Sequence, residues 1–229
     1  MERFFETLIS GHRPAAREIV REALESGASS TRVLTDLFWP AYENVEKLFR
    51  GDQLTKLSHH LATRLLRVLV DQNAALLKRQ PARGRSILAM CGPRDSDELG
   101  AQMAVDLLEQ AGYEMAFAGG GIPSDETLAH IHEHQPGVLL MFASGPSDLP
   151  EMRQLIDTLH EIGACPNLQI AVGGGIFNRA EGLAEEIGAD LWARTPMEMV
   201  NLLVSAPARR AEAEQRTVGR KRRLKREAA

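Results

Sequence analysis

Several clusters of residues carry groups that do chemistry. The stretch Cys91-Gly-Pro-Arg-Asp-Ser-Asp-Glu-Leu-Gly100 sets two carboxylates, Asp95 and Asp97, between an apolar run and a helical pattern. Carboxylates there either cap the next helix, accepting from its free first-turn N–H groups, or face a ligand. The adjacent imidazoles of His59 and His60 are metal-ligand types. His130 and His134 lie four apart on one helical face beside Glu133, but no Glu follows the first His, so the H-E-x-x-H pattern is not met. A solvated outer face is the expectation there. The triplets Gly119–Gly121 and Gly173–Gly175 let backbone approach a ligand closely. Neither is G-x-G-x-x-G and no Walker lysine follows, so a dinucleotide or nucleoside triphosphate is not indicated. No Ser/His/Asp or Cys/His arrangement and no G-x-S-x-G elbow is present. Cys91 and Cys165 form no C-x-x-C pair, which gives no support to a structural zinc site.

The elements that position these groups change character midway. Up to residue 80 the apolar residues recur at three- and four-residue spacings, as in Leu34, Leu37, Phe38, Tyr42, Val45, Leu48 and Phe49. Breaks at Gly11–Pro14, Ser26–Ser30 and Arg50–Gln53 predict helices over 2–10, 14–26, 30–49 and 53–79, with a kink at Pro40. Four helices with short links predict an antiparallel bundle. Beyond a linker at Gln80–Arg85, short apolar runs such as SILAMC, YEMAFA, GVLLMFAS, LQIAVGGG and ADLWA alternate with helical stretches. That alternation predicts an α/β domain with a doubly wound, five-stranded parallel sheet of flavodoxin-like or Rossmann-like type. Ligands of such sheets bind beyond the carboxyl ends of the strands, which is where the Asp95/Asp97 loop and the glycine triplets fall.

The expected domains are a bundle cap over 1–80, an α/β domain over 81–206 and a basic tail over 207–229. From Arg209 onward there are nine Lys/Arg against three Glu, leaving 18 basic and 28 acidic residues upstream. The tail's run from Arg220 to Arg226 has the charge to contact nucleic acid phosphates, or to pair with the acidic body. No apolar run approaches the roughly 20 residues that span a bilayer, and the start lacks a signal-peptide pattern. A cytoplasmic protein with two reduced thiols is expected.

A helical bundle followed by this α/β domain resembles the cobalamin (vitamin B12)-binding modules of methionine synthase, corrinoid methyl carriers and light-sensing cobalamin-dependent repressors. The resemblance runs over residues 5 to 205. Relatives carry D-x-H-x-x-G in the first loop. There the His replaces cobalamin's own base below cobalt, and the Asp orients that His through its other ring nitrogen. Here Asp95 and Gly100 keep their places and the His is Asp97. A carboxylate suits cobalt poorly in this geometry, so the resemblance implies binding by a mode other than base-off/His-on. The relatives' S-x-L at the end of the third strand aligns with Phe142-Ala143-Ser144. Phe142 would narrow the channel that holds cobalamin's nucleotide tail, while a two-residue slip returns the serine role to Ser144. A glycine pair is kept as Gly173-Gly174, with Gly175 added. Light-sensing relatives set Trp, nine residues, then Glu-His against cobalt's upper side; here these are Phe49, His59 and His60, with His60 expected to point inward as the metal ligand. Trp39 is read as bundle core.

The function implied is a non-enzymatic sensor or regulatory module. It would bind cobalamin or another tetrapyrrole, haem or bilin, between bundle and sheet and signal to a regulatory protein partner, with self-association open. A ligand-free interaction scaffold and a corrinoid methyl carrier are the alternatives.

Overall fold

The structure, a computed structural model, describes residues 1–163 and 165–211. It divides the chain into two compact units, Met1–Arg79 and the part from Gln80 onward. The first is wholly helical: α1 (Glu2–Ile9), α2 (Arg13–Glu25), a long segment from α3 (Ser30–Arg32) into α4 (Trp39–Arg50), and α5 (Lys56–Ala74). Side-chain oxygens begin two of these. Ser29 Oγ accepts from the Arg32 N–H at 3.2 Å and Thr55 Oγ1 from the Ser58 N–H at 3.1 Å, each meeting a donor that the helix leaves free. The apolar stripes meet in a core around Phe4, Leu8, Leu34, Phe38, Leu66 and Leu69.

The kink expected at Pro40 takes another form. Proline has no N–H to give to the preceding turn, and the chain widens just before it into a π turn, Val33–Phe38, where the Trp39 N–H reaches Leu34 O. The helix continues through the proline.

In the second unit, β1 (Ser86–Cys91), β2 (Glu114–Gly120), β3 (Val138–Phe142), β4 (Gln169–Gly173) and β5 (Leu191–Ala193) form one parallel sheet in the order β2-β1-β3-β4-β5. The order reverses between β1 and β3, the switch point at which doubly wound sheets open a crevice. Side chains alternate between faces. Ile87, Ala89, Leu140 and Ala171 pack under α6 (Asp95–Gln110) and α11 (Pro196–Ser205). Leu88, Leu139, Met141 and Val172 pack under α7 (Ser124–His134) and α8 (Leu149–Ile162).

Two local expectations are corrected. The helix foreseen after β4 is split into α9 (Gly175–Arg179) and α10 (Leu183–Ile187), because Gly182 turns left-handed at φ 78° between them. Helix α6 begins at Asp95 and takes in both Asp95 and Asp97, which the sequence pattern set ahead of the helix.

The chain past α11 is strapped to the amino ends of the strands. Buried Gln169 Nε2 donates to Ala206 O and Arg209 O at 3.0 and 2.9 Å, and Asp190 Oδ1 accepts from the Ala211 N–H at 2.7 Å. Residue 211 thus leaves the sheet at the end opposite the carboxyl-end loops. Most of the basic tail, including Arg220–Arg226, lies outside the described residues.

Gly174 has φ 104° and ψ 168°, a region nearly closed to L side chains, and a Cβ there would overlap Ala143 O. Gly174→Ala should cost about 3 kcal/mol or more. Gly163→Ala, at φ 63° in open space, should cost about 1 kcal/mol. Urea midpoints of the two variants check the difference.

Candidate functional site

At the switch point Cys91 stands opposite Phe142, and Phe142 opposite Gly173. The loops leaving β1 and β3 are joined there by one cation. Arg94, just before α6, donates from Nε to Asp97 Oδ2 at 2.9 Å, and its Nη2 stands 3.5 Å from Asp148 Oδ2. The same Asp148 oxygen accepts from the N–H groups of Ser144 and Gly145, each at 2.9 Å. Gly92 allows this closeness: a Cβ there would fall 2.5 Å from Asp97 Oδ2 and 3.2 Å from Asp148.

The two aspartates therefore differ. Asp95 is exposed, whereas Asp97 is 3% exposed. Neither caps α6 with its side chain, contrary to the capping expectation, because both lie inside the helix. Asp97 Oδ1 is buried with no hydrogen-bond partner among the described residues. Gly100 is buried further along α6. Where the resemblance puts an imidazole beneath cobalt there is a carboxylate already committed to Arg94. That donor set does not fit axial ligation from below.

The Gly173 side of the crevice is also taken. On the α6/α11 face a Cβ on Gly173 would lie 3.2 and 3.3 Å from two carbons of the Phe142 ring, so that ring occupies the space the glycine leaves. Arg179 Nη2 donates to Ser144 O at 2.6 Å, and its guanidinium fills the space over Gly175. Gly173, Gly174 and Gly175 thus admit the chain's own Phe142, Ala143 and Arg179. Gly121 alone in the other triplet faces open space; Gly119 meets Glu98, and Gly120 meets the backbone of Gly92.

An open volume does exist on the other face. A cavity of about 520 Å³ lies under the carboxyl ends of β1 and β3, with Met90, Met141, Met152 and Leu155 among its apolar walls. Ser124, Thr127, Ser147 and Asp148 contribute polar atoms. The volume is within the range of small-molecule sites.

In the helical unit, the expected inward histidine changes place. His59 is 7% exposed and its Nε2 donates to Glu46 Oε1 at 2.6 Å, while its ring stacks on Phe49 with centroids 3.9 Å apart. His60 is exposed, since neighbouring helical residues point about 100° apart. The carboxylate can only accept, so Nε2 carries the hydrogen between them, and Nδ1 is buried without a partner among the described residues. Trp39 sits partly buried against Tyr42, with ring centroids 5.4 Å apart. His130 and His134 stack at 4.1 Å, and no group of three potential metal ligands occurs among the described residues.

Three residues of these arrangements escaped the sequence reading. Arg94 is legible as a cation three residues before Asp97 on a helix start, and Asp148 as the closing residue of a Gly-Pro-Ser-Asp turn. Glu46 carries no local signal, because it meets His59 from a different helix.

The fold is that of a helical unit followed by a doubly wound α/β unit, and comparison with known proteins identifies its family. The B12 binding domain profile matches residues 85–201, and a second B12 binding domain profile matches residues 1–72. The chain belongs to the B12 binding domain family. Dimethylamine corrinoid protein 1 of Methanosarcina acetivorans is 27% identical over 106 residues, 46% of this chain and 49% of that protein. Dimethylamine corrinoid protein 3 of Methanosarcina mazei is 26% identical over 106 residues, 46% of this chain and 62% of that protein. The match spans less than two thirds of either relative. The monomethylamine corrinoid protein of Methanosarcina barkeri has the same fold, with a TM-score of 0.69 at 16% identity over 88% of this chain and 95% of that one. The methanol:cobalamin methyltransferase complex of Methanosarcina barkeri gives a TM-score of 0.50 at 15% identity, covering 93% and 81%. Among the described residues no helix is long and apolar enough to cross a membrane.

Arg94→Ala strands the Asp97 carboxylate in the interior and should destabilise the protein by about 1–3 kcal/mol, moderated because Arg94 is half exposed. Adding Asp97→Asn should recover at least half of that loss, which denaturant titration of the single and double variants measures.

Proposed function

We propose that the protein binds a corrinoid and serves as a carrier for a methyltransferase-type protein partner, with no imidazole supplied from the first loop of the sheet. The observation that carries this reading is that B12 binding domain profiles cover both units, 1–72 and 85–201. The corrinoid proteins among its relatives support the carrier role over other uses of the fold. When bound, the group supplies a cobalt centre able to accept and release a methyl group. The chain's own part is to hold and orient it. Arg94 keeps Asp97 and Asp148 in one arrangement. Family membership narrows the tetrapyrrole foreseen from the sequence to a corrinoid; haem and bilin gain no support. Nucleic acid contact by the tail gains none either.

A sensor role is the second reading, favoured by the Arg94–Asp97 pair. A carrier commonly tunes cobalt with an imidazole from below, and a carboxylate locked in an ion pair removes that control. A stably bound corrinoid whose state is read by a regulatory partner has no need of it.

Titration of the purified chain with hydroxocobalamin should shift its visible spectrum and saturate at one equivalent; an unchanged spectrum refutes corrinoid binding. Loaded with methylcobalamin, the protein should lose its methyl group to a thiol acceptor faster than free methylcobalamin does. Tight binding without that acceleration would favour the sensor.

A further inference from the structure

We propose that Arg83, Arg85 and Arg210 form a binding site for a phosphate-class dianion at the amino ends of the strands, the end of the sheet opposite the crevice. The site is independent of what the crevice holds.

Arg85 stands immediately before β1, where several approaches to the sheet meet. Its Nη2 donates to Gln169 Oε1 at 2.8 Å, to Gly137 O at 3.2 Å and to Pro207 O at 3.4 Å. All three acceptors are uncharged. Its Nη1 is buried with no partner among the described residues. Burial, and after it the positive charge of Arg210, holds this guanidinium below the ordinary arginine value. Arg210 lies on the strap that follows α11, donating from Nη2 to Asn167 O at 3.0 Å and from Nη1 to Arg209 O at 2.9 Å. Arg83 donates from Nε to Ala111 O at 2.7 Å, and its guanidinium carbon stands 5.6 Å from the centre of the Tyr113 ring. Burial raises the Tyr113 hydroxyl, and the charges of Arg83 and Arg85 both oppose the rise, so the two cations flank one ring.

None of the three forms an ion pair with a carboxylate among the described residues. The carboxylate that meets the strap, Asp190, spends Oδ2 on the Ile170 N–H and Oδ1 on the Ala211 N–H, each at 2.7 Å. Like charges are therefore gathered round neutral acceptors, in a chain whose part before Arg209 is acidic. Such an arrangement is costly until an anion joins it. Arg85, half-buried, supplies the unneutralised charge, while Arg83 and Arg210 are exposed and bring their guanidinium edges to solvent. A guanidinium fork matches the edge of a tetrahedral oxyanion, and a doubly charged one can serve two forks at once. Bound there, it would tie Arg83, ahead of the sheet, to Arg210, beyond it, and hold the strap down.

The experiment titrates the full chain with inorganic phosphate against chloride at fixed ionic strength. It reads the thermal midpoint and the hydrogen exchange of the segment around Ala211. Phosphate should raise the midpoint saturably, by about 2 °C or more, and slow that exchange about threefold or more. Arg83→Ala and Arg210→Ala should each weaken the response about fivefold or more, and the double variant should lose it. Arg32→Ala, which removes one charge from the helical unit, should keep it. Circular dichroism confirms that each variant folds. Glycerol phosphate in place of phosphate separates two sources of the dianion: tighter binding of the ester assigns the site to a phosphorylated small molecule, tighter binding of the free ion to phosphate itself. A wild-type chain indifferent to both, a response that survives in the folded double variant, or an equal loss in Arg32→Ala overturns the proposal.

Discussion

One guanidinium holds the carboxyl end of the sheet in shape. Arg94 sits where the β1 loop turns into α6 and contacts Asp97 in its own helix and Asp148 in the β3 loop. Each carboxylate is costly to bury alone, so each depends on the cation. Asp148 spends its Oδ2 on two backbone N–H groups as well, which makes the β3 loop's path conditional on the same centre. Gly92 has to lack a side chain for the arrangement to close. Asp97, where the resemblance would put an imidazole, thus has a set of contacts that gives its carboxylate a structural use.

The sheet turns that local fact into a choice of faces. A parallel sheet alternates its side chains, and the strand order reverses between β1 and β3. A bulky residue at the end of β3, Phe142, therefore fills the space over Gly173 while it also borders the cavity on the other face, where Met90 and Met141 form part of the wall. The space beside Gly173, Gly174 and Gly175 is filled by the chain's own groups: Phe142, Ala143 and Arg179.

Much of the architecture is legible from residue order. The switch from three- and four-residue spacing to short apolar runs separates the helical segments from the strands, and the runs SILAMC, GVLLMFAS and LQIAVGGG locate the crevice, the last two running two residues past the ends of β3 and β4. The sequence is less informative where a partner comes from far along the chain. The helical pattern around His59 and His60 does not by itself say which of the two is buried. That is decided by Glu46 and Phe49 on the preceding helix, which take His59 by a 2.6 Å hydrogen bond and a 3.9 Å ring stack. The same holds for Asp97. Its type announces a departure from the relatives' pattern, but its burial follows from Arg94 and from the absence of a side chain at Gly92. Gly182 and Pro40 show the complementary case, in which a local backbone property is legible while its form is not: a split helix in one and a π turn in the other.

The two histidines and the two aspartates have a common logic. In each pair one residue is buried and the other exposed, and a partner settles which: Glu46 on the preceding helix for His59, Arg94 one turn earlier for Asp97. His59 is held by a carboxylate and Asp97 by a guanidinium, so both buried groups have an opposite-charge or polar partner on one side and an unpartnered atom, Nδ1 or Oδ1, on the other. A group with one committed side is oriented, and an oriented group with one open valence is poised for a further hydrogen bond at little entropic cost. Such groups are poor candidates for direct metal ligation while buried. They are suited instead to hold the helix that carries each of them in one orientation within its own unit.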